Sequence, residues 1–518
     1  MRPRSTLLGL LVLALAALAL PGAARADALD DARAAGGLTE EAYAFERARS
    51  LFALEDVRAD HGAVERPDGR AATLLLRDLR AVLPRLRGSD RAVALALLAR
   101  PGAREHDDPF GTSYDDHPPR TDCGPHVCVH WTETGPDAVE SVDRDGNGVP
   151  DHADAAKRVL HEVWAVEVGR LGYRPPLDDS GAPTNGGDGR FDVYLADIGD
   201  HGYFGYCTTD DPAAEHSHRV SAFCVIENDF SERTFAGMAP LQALRVTAAH
   251  EFFHAIQFGY DWLEDTWLVE GSAAWMEDEV YDAVDDNRRF LGAASPLARP
   301  EVPLDHGRDG FEYGSWIYWR YLAERFGAAV VRDVWNRAEP SAGRDPYSVA
   351  AVADALAARG TSFAAVFASF GAANRAPGTS YAEGRAYRSA PRRGDRTIAP
   401  AAPVARGRAS LAHLTTRTVG FRRGGGVSAT ARLRLSLRAG HPAFGARAIV
   451  VRSSGRSTTL PLRPSGTSDL PFGRGIRRVE LVLSNGGTGY ACWRGTALSC
   501  RGVALDDGAG VTFRATLR

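Results

Sequence analysis

The run His250-Glu251-Phe252-Phe253-His254 carries the most specific chemistry in this chain. Residues four apart share one face of a helix. His250 and His254 can therefore hold one zinc ion together, while Glu251, one position along, reaches a water beside it. The neighbouring Leu241, Leu244, Val246, Ala248, Ala249, Phe253 and Ile256 are apolar and suit a helix. A hydrolytic zinc site takes three protein ligands and keeps its fourth position open. Downstream, Trp267-Leu268-Val269-Glu270-Gly271 begins far enough from His254 for a turn and a second, antiparallel helix. Glu270 is the expected third ligand, with Glu264, Glu277 and Asp278 as rivals.

A second metal-type pattern is Asp143-Arg144-Asp145-Gly146-Asn147-Gly148-Val149-Pro150-Asp151-His152-Ala153-Asp154. It follows the spacing of an EF-hand calcium loop: Asp143, Asp145, Asn147, Asp151 and Asp154 supply side-chain oxygens and Val149 a carbonyl, with Gly148 at the required glycine position. Position 12 is Asp154 rather than a bidentate Glu, Pro150 is unusual, and no helix leads in from Thr132–Val142. The expectation is a structural calcium site of a single-loop extracellular kind. The bland alternative is an Asp-Gly turn capping the next helix.

His-Glu-x-x-His followed by Trp-Leu-x-Glu-Gly-x-Ala-x-aromatic-x-Glu resembles the gluzincin metallopeptidases, the thermolysin and alanyl-aminopeptidase-like superfamily. The resemblance covers 123–390, about half the chain, and extends to a secreted bacterial group of such enzymes. It implies Glu270 as zinc ligand, Glu251 as general base, and Tyr313, in Phe311-Glu312-Tyr313-Gly314, as the donor to the oxyanion of the transition state. His306 is the rival donor, by likeness to thermolysin. Two departures matter. The Gly-x-Met-Glu-Asn motif that holds a free amino terminus is absent, so an endopeptidase is expected rather than an exopeptidase. The Asp four residues after the ligand Glu in thermolysin-like enzymes is Ala274 here, so Glu277, on the same helix face, is the expected outer partner of a ligating histidine. The strand 221–226 is the expected edge for an extended substrate.

The elements that must position these groups follow from pattern. Strands are expected at 127–131, 191–195 and 221–226. Helices are expected at 155–171, 241–258, 267–281, 313–326, 346–358 and 363–373, the fifth capped by Asp345 with Pro346 at its first position. Residues 389–408, rich in Arg, Ala and Pro, read as a break. Beyond it Leu433, Leu435 and Leu437 alternate with Arg432, Arg434 and Arg438, the period of a half-buried strand. The expected fold is α+β: a signal peptide (1–26), a helical N-terminal region that is a propeptide or a subdomain, with a linker (27–122), a zinc metallopeptidase domain with a small mixed sheet and active-site helices (123–390), and a linker with a β-sandwich (391–518).

Composition limits the rest. With 44% hydrophobic and 25% charged residues, the 518-residue chain is ordinary for a globular protein. Arg2 and Arg4, the apolar run Leu7–Leu20 and Ala24-Arg25-Ala26 read as a signal peptide. The run is short for a membrane span, so a secreted protein with no span in its mature chain is expected. Six cysteines fit disulfides, and nearest-neighbour pairing gives Cys123–Cys128, Cys207–Cys224 and Cys492–Cys500. From Ala401 onward there are 19 Arg and four acids, a charge of +15 on a chain of net −5. With few aromatics among those Arg, nucleic-acid binding is not expected; contact with an anionic cell-surface polymer is.

The leading expectation is thus a secreted, monomeric zinc endopeptidase acting on polypeptide. The alternatives are a catalytically inactive, calcium-stabilised surface- or glycan-binding protein on the same scaffold, and a zinc hydrolase of non-protein amides.

Overall fold

The computed structural model describes residues 27–103, 110–114, 116–231, 235, 237–340, 345–496 and 499–518, and their side chains except those of 491–503. The expected signal peptide lies outside the described residues. The chain is mixed α and β, with a helical N-terminal part and C-terminal strands in sheets.

Five helices come first: α1 (Ala28–Ala34), α2 (Glu40–Phe52), α3 (Leu54–His61), α4 (Ala72–Val82) and α5 (Gly88–Leu97). A five-stranded sheet follows from β1 (Arg120–Cys123), β2 (Val127–Trp131), β3 (Phe191–Ala196), β4 (Gly205–Thr208) and β5 (Phe223–Glu227), in the order β1-β2-β3-β5-β4. The inner three are parallel, and β1 and β4 run antiparallel at the edges. Successive side chains point to opposite faces, and both faces are buried. Val127, Val129, Val193, Leu195, Cys224 and Ile226 pack with α6 (Asp151–Trp164) and α7 (Pro240–Asp261). Tyr194, Phe223 and Val225 pack with Leu76 and Leu79 of α4. The N-terminal helices are thus one wall of this sheet's core.

The remaining helices are α8 (Thr266–Tyr281), α9 (Phe311–Gly314), α10 (Trp316–Phe326), α11 (Ala329–Ala338), α12 (Val349–Ala357) and α13 (Phe363–Arg375). Trp262, Trp267, Trp275, Trp316, Trp319 and Trp335 are buried in this region, Trp267 stacked on Trp319 with ring centroids 5.2 Å apart. The C-terminal strands are β6 (Asp395–Ile398), β7 (Val404–Leu411), β8 (Thr416–Arg423), β9 (Arg432–Ala439), β10 (Phe444–Arg452), β11 (Ser457–Pro461), β12 (Ser465–Pro471), β13 (Ile476–Asn485), β14 (Tyr490–Thr496), β15 (Ser499–Ala504) and β16 (Ala509–Leu517). They form the sheets β11-β10-β13-β8-β6 and β12-β9-β16-β7 and the pair β14-β15. Leu433, Leu435 and Leu437 enter a core shared with Val479, Leu481 and Leu483. The outer face of the larger sheet meets α13, where Arg375 Nε donates to Glu480 Oε2 at 2.9 Å.

Several expectations are corrected. The strand ending near Glu227 is not an edge: β4 pairs with it, and the disulfide Cys207–Cys224 joins the two. The edge is β4. The residues 389–408 are no mere break, because β6 and the start of β7 lie there, their Arg residues facing outward and Pro400 in the turn between them. Within the expected linker, Arg120–Cys123 forms β1, whose Cys123 pairs with Cys128 in register and by disulfide. Asp345 caps no helix. Helix α12 begins after Ser348, whose backbone N–H donates to Glu264 and whose hydroxyl donates to Asp265 Oδ2, holding the turn one step further on. The expected helix at 313–326 is two, α9 and α10. The cysteines Cys492 and Cys500 carry side chains outside the described ones.

Candidate metal centre

Helix α7 starts at Pro240, where the missing N–H costs nothing, and is buried on nearly every face from Ala243 to Asp261. A helix apolar all round belongs in a core, so its polar residues there need partners. The turn into α8 is fixed by Asp261, which accepts from Leu263 N at 3.0 Å. Gln257 meets Val269 and Ser272, while His250 meets Glu270 and Glu277, so the two helices run antiparallel. On its other side α8 approaches α10 closely because residue 271 is Gly: a Cβ there would overlap Ser315 Oγ and lie 2.8 Å from Trp319 Nε1.

At this contact His250, His254 and Glu270 bring three ligand atoms within 4.8 Å of one another. Glu270 Oε2 lies 3.1 Å from His250 Nε2 and 3.6 Å from His254 Nε2. Each imidazole is held from outside: His250 Nδ1 by Glu277 Oε1 at 2.7 Å, His254 Nδ1 by Gln257 Oε1 at 2.7 Å. Gln257 in turn donates to Val269 O at 2.9 Å. Both Nε2 atoms therefore point inward. His254 Nε2 and Glu270 Oε1, both buried, find no hydrogen-bond partner among the described residues. Two imidazoles fixed at Nδ1, a carboxylate and orphaned inner atoms are the donor set and outer support that zinc uses, so these residues fit the ion.

Electrostatics agree with a tightly coupled centre. Burial opposes the charge of His250, yet the carboxylates of Glu270 and Glu277 push its pKa up to about 9. Burial likewise opposes ionisation of Glu270, but His254 and His250 hold it down to about 2. Burial pushes the Glu251 carboxyl up, against the pull of the two imidazoles. Glu251 Oε2 accepts from Thr73 Oγ1 at 3.1 Å, and a Cβ on Gly205 of β4 would come 2.9 Å from Glu251 Cγ. Tyr313 is buried, its ring centroid 6.3 Å from that of His250 and stacked on Phe290 at 5.0 Å. His306 is turned to Asp309 and Phe311. Of the rival acids, Glu264 accepts from Asp265 N and Ser348 N, and Asp278 pairs with Arg320 at 2.6 Å.

Three members of the site escaped the sequence reading. Gln257 had a signal, its i+3 spacing from His254. Arg70, which pairs with Glu277 and with Asp286 at 2.8 Å, and Thr73 had none, being far away in the chain.

The calcium-type loop is only partly assembled. Asp143 accepts from the backbone of Gly146 and Gly148 at 2.8 and 2.9 Å. Asn147 Nδ2 donates to Asp154 Oδ2 at 2.6 Å and to Asp145 Oδ2 at 3.3 Å. Val149 N donates to Asn147 Oδ1 at 2.7 Å. Asp151 is instead paired with Arg144, and Lys157 lies 3.6 Å from Asp154. Two cations thus stand where an ion's own charge would act.

No family model matches the chain, and no curated protein does. Among solved structures the chain is similar to a periplasmic inhibitor of g-type lysozyme from Aeromonas hydrophila, at 10% identity over 24% of this chain and 99% of that one, TM-score 0.16. It is also similar to the pre-peptidase C-terminal domain of a collagenase from Bacillus anthracis, at 12% identity over 25% and 97%, TM-score 0.15. Scores this low support neither a shared fold nor shared chemistry. Among the described residues no helix is long and apolar enough to cross a membrane.

Proposed function

We propose that this chain is a secreted zinc-dependent peptidase of the gluzincin kind, cutting within polypeptides. The observation that carries it is the pair of imidazoles fixed at Nδ1 with both Nε2 atoms turned onto Glu270, beside Glu251. His250, His254 and Glu270 would hold the ion. Bound there, zinc supplies Lewis acidity, which makes water nucleophilic near neutral pH and polarises the scissile carbonyl. Glu251 takes the proton of the attacking water and delivers it to the leaving amine; burial raises its proton affinity toward that role. The Tyr313 hydroxyl donates to the oxyanion. Glu277 and Gln257 keep the imidazoles oriented.

The loop Asp143–Asp154 is proposed as a calcium site, with Asp143, Asp145, Asn147, the Val149 carbonyl and Asp154 holding the ion and Asp151 joining on release from Arg144.

The test uses residues 27–518, wild type beside Glu251→Gln. One zinc per chain in both is expected; after the opening described next, casein is cleaved by the wild type and about 10²–10⁴-fold more slowly by the variant. A folded chain that takes up no zinc overturns the proposal. Zinc in both chains with no cleavage, even after the opening described next, favours the inactive binding protein.

A further inference from the structure

Hydrolysis of a polypeptide needs an extended chain at groups that are here enclosed: His250, Glu251, His254, Glu270 and Tyr313 are each no more than 2% exposed. Part of the cover is the protein's own N-terminal region. Between Arg66 and Arg77 the chain runs beside β4 and turns into α4. Arg66 Nη1 donates to His201 O at 3.1 Å. Phe204 N donates to Gly69 O at 3.3 Å. Cys207 N donates to Thr73 Oγ1 at 2.9 Å, and that hydroxyl donates onward to Glu251 Oε2 at 3.1 Å. The buried guanidinium of Arg70 pairs with Glu277 and Asp286, and Arg77 Nη1 donates to Glu264 O at 2.9 Å.

These contacts fall where a substrate must go. β4 is paired with β5 on one side only, and an extended peptide adds to a sheet through the free backbone groups of its edge. The N–H groups of Phe204 and Cys207 are already taken by Gly69 and Thr73. One oxygen of the carboxylate that must meet a water, Glu251 Oε2, is taken by the Thr73 hydroxyl. Residues 66–77 and a polypeptide substrate therefore compete for one edge and one carboxylate.

We propose that residues 66–77 are an internal plug that keeps the chain latent, and that polypeptide reaches Glu251 only after they leave β4. The plug itself rests on the contacts above; its consequence for turnover rests on the peptidase reading. Its grip on the centre is through a hydroxyl and a buried ion pair, with no group of its own on His254 or Glu270. Lifting Arg70 out strands buried carboxylates, so an intact chain, which keeps the plug tethered, closes again, whereas a cut removes the tether and lets the plug diffuse away. The exposed stretch Arg87–Asp90, where α5 begins, is where such a cut separates the plug from the sheet.

The experiment inserts a site-specific protease sequence between Arg87 and Gly88 of residues 27–518. Carbethoxylation of His250 and His254 is followed by mass spectrometry on the metal-free protein, and casein cleavage on the zinc-loaded one, before and after cutting and release of 27–87. Both rates are expected to rise at least tenfold. Because release uncovers apolar surface, Thr73→Asp in the uncut chain serves as a second opening: its carboxylate repels Glu251 and cannot donate to it, and both rates are expected to rise severalfold. Histidine modification as slow in the opened forms as in the uncut wild type overturns the plug. Faster modification without cleavage upholds the plug and overturns the peptidase reading instead.

Discussion

Each histidine of α7 is oriented by a partner of different origin: Glu277 on α8 for His250, and Gln257 on the same helix for His254. An imidazole can ligate through either nitrogen, so the group that occupies Nδ1 settles which one is left to face a metal. Gln257→Ala leaves His254 free to rotate about its axis. Zinc affinity is expected to fall about 10–100-fold, with the fold otherwise kept, as read by competition against a chelator dye. An unchanged affinity would show that packing alone orients the ring. At this scale the sequence was readable where chemistry and spacing coincide. His250, Glu251 and His254 lie within one helical turn, and Glu270 precedes a glycine whose absent side chain lets α8 approach α10. Arg70 and Thr73 were unreadable, because their partners are brought to them by the packing of α4 on the sheet and by nothing local.

The α7–α8 pair works as a unit because α8 seats tightly on α10 through Gly271. Gly271→Ala drives a methyl group into Ser315 and Trp319. It is expected to destabilise the protein by about 1–3 kcal/mol and to lower zinc content with it, measured by urea unfolding alongside metal analysis. A stability equal to wild type would mean that α10 yields at no cost. Most elements of 123–390 were legible from apolar period and turn residues. The misreadings have physical sources. Asp345-Pro346 has the local form of a helix start, but Ser348 is held by Glu264 and Asp265 and moves the start to Val349. β6 is short and outward-facing, so its Arg and Thr residues carry no apolar period. The edge was misassigned because β4 is only four residues long and owes its place to pairing with β5.

Across the whole molecule, several buried carboxyls are held above their ordinary range by burial: Glu227 to about 8, and Asp265 and Asp278 to about 7. A carboxyl whose folded pKa is raised contributes stability that is full below its unfolded pKa, about 4, and is lost as pH climbs to the folded value. With chelator present, the melting temperature is therefore expected to fall between pH 5 and pH 8. Glu227→Gln removes one contributor, so at pH 8 it should be more stable than the wild type by on the order of a few kcal/mol and melt higher, with little difference at pH 4. A wild-type curve that rises over this interval would contradict the assignment. The opposite charges of the two parts of the chain, −20 before residue 401 and +15 after it, were plain from composition.

The tryptophans have a consequence of their own. Eight of the chain's nine lie between Trp131 and Trp335, and only Trp493 belongs to the C-terminal strands. Ultraviolet emission is therefore a private signal of α7, α8 and their surroundings, nearly blind to the C-terminal sheets, while circular dichroism records both. Following the two signals together as the protein is heated turns the indole rings into an intrinsic dye, one that tells whether the two parts melt as one body or in succession.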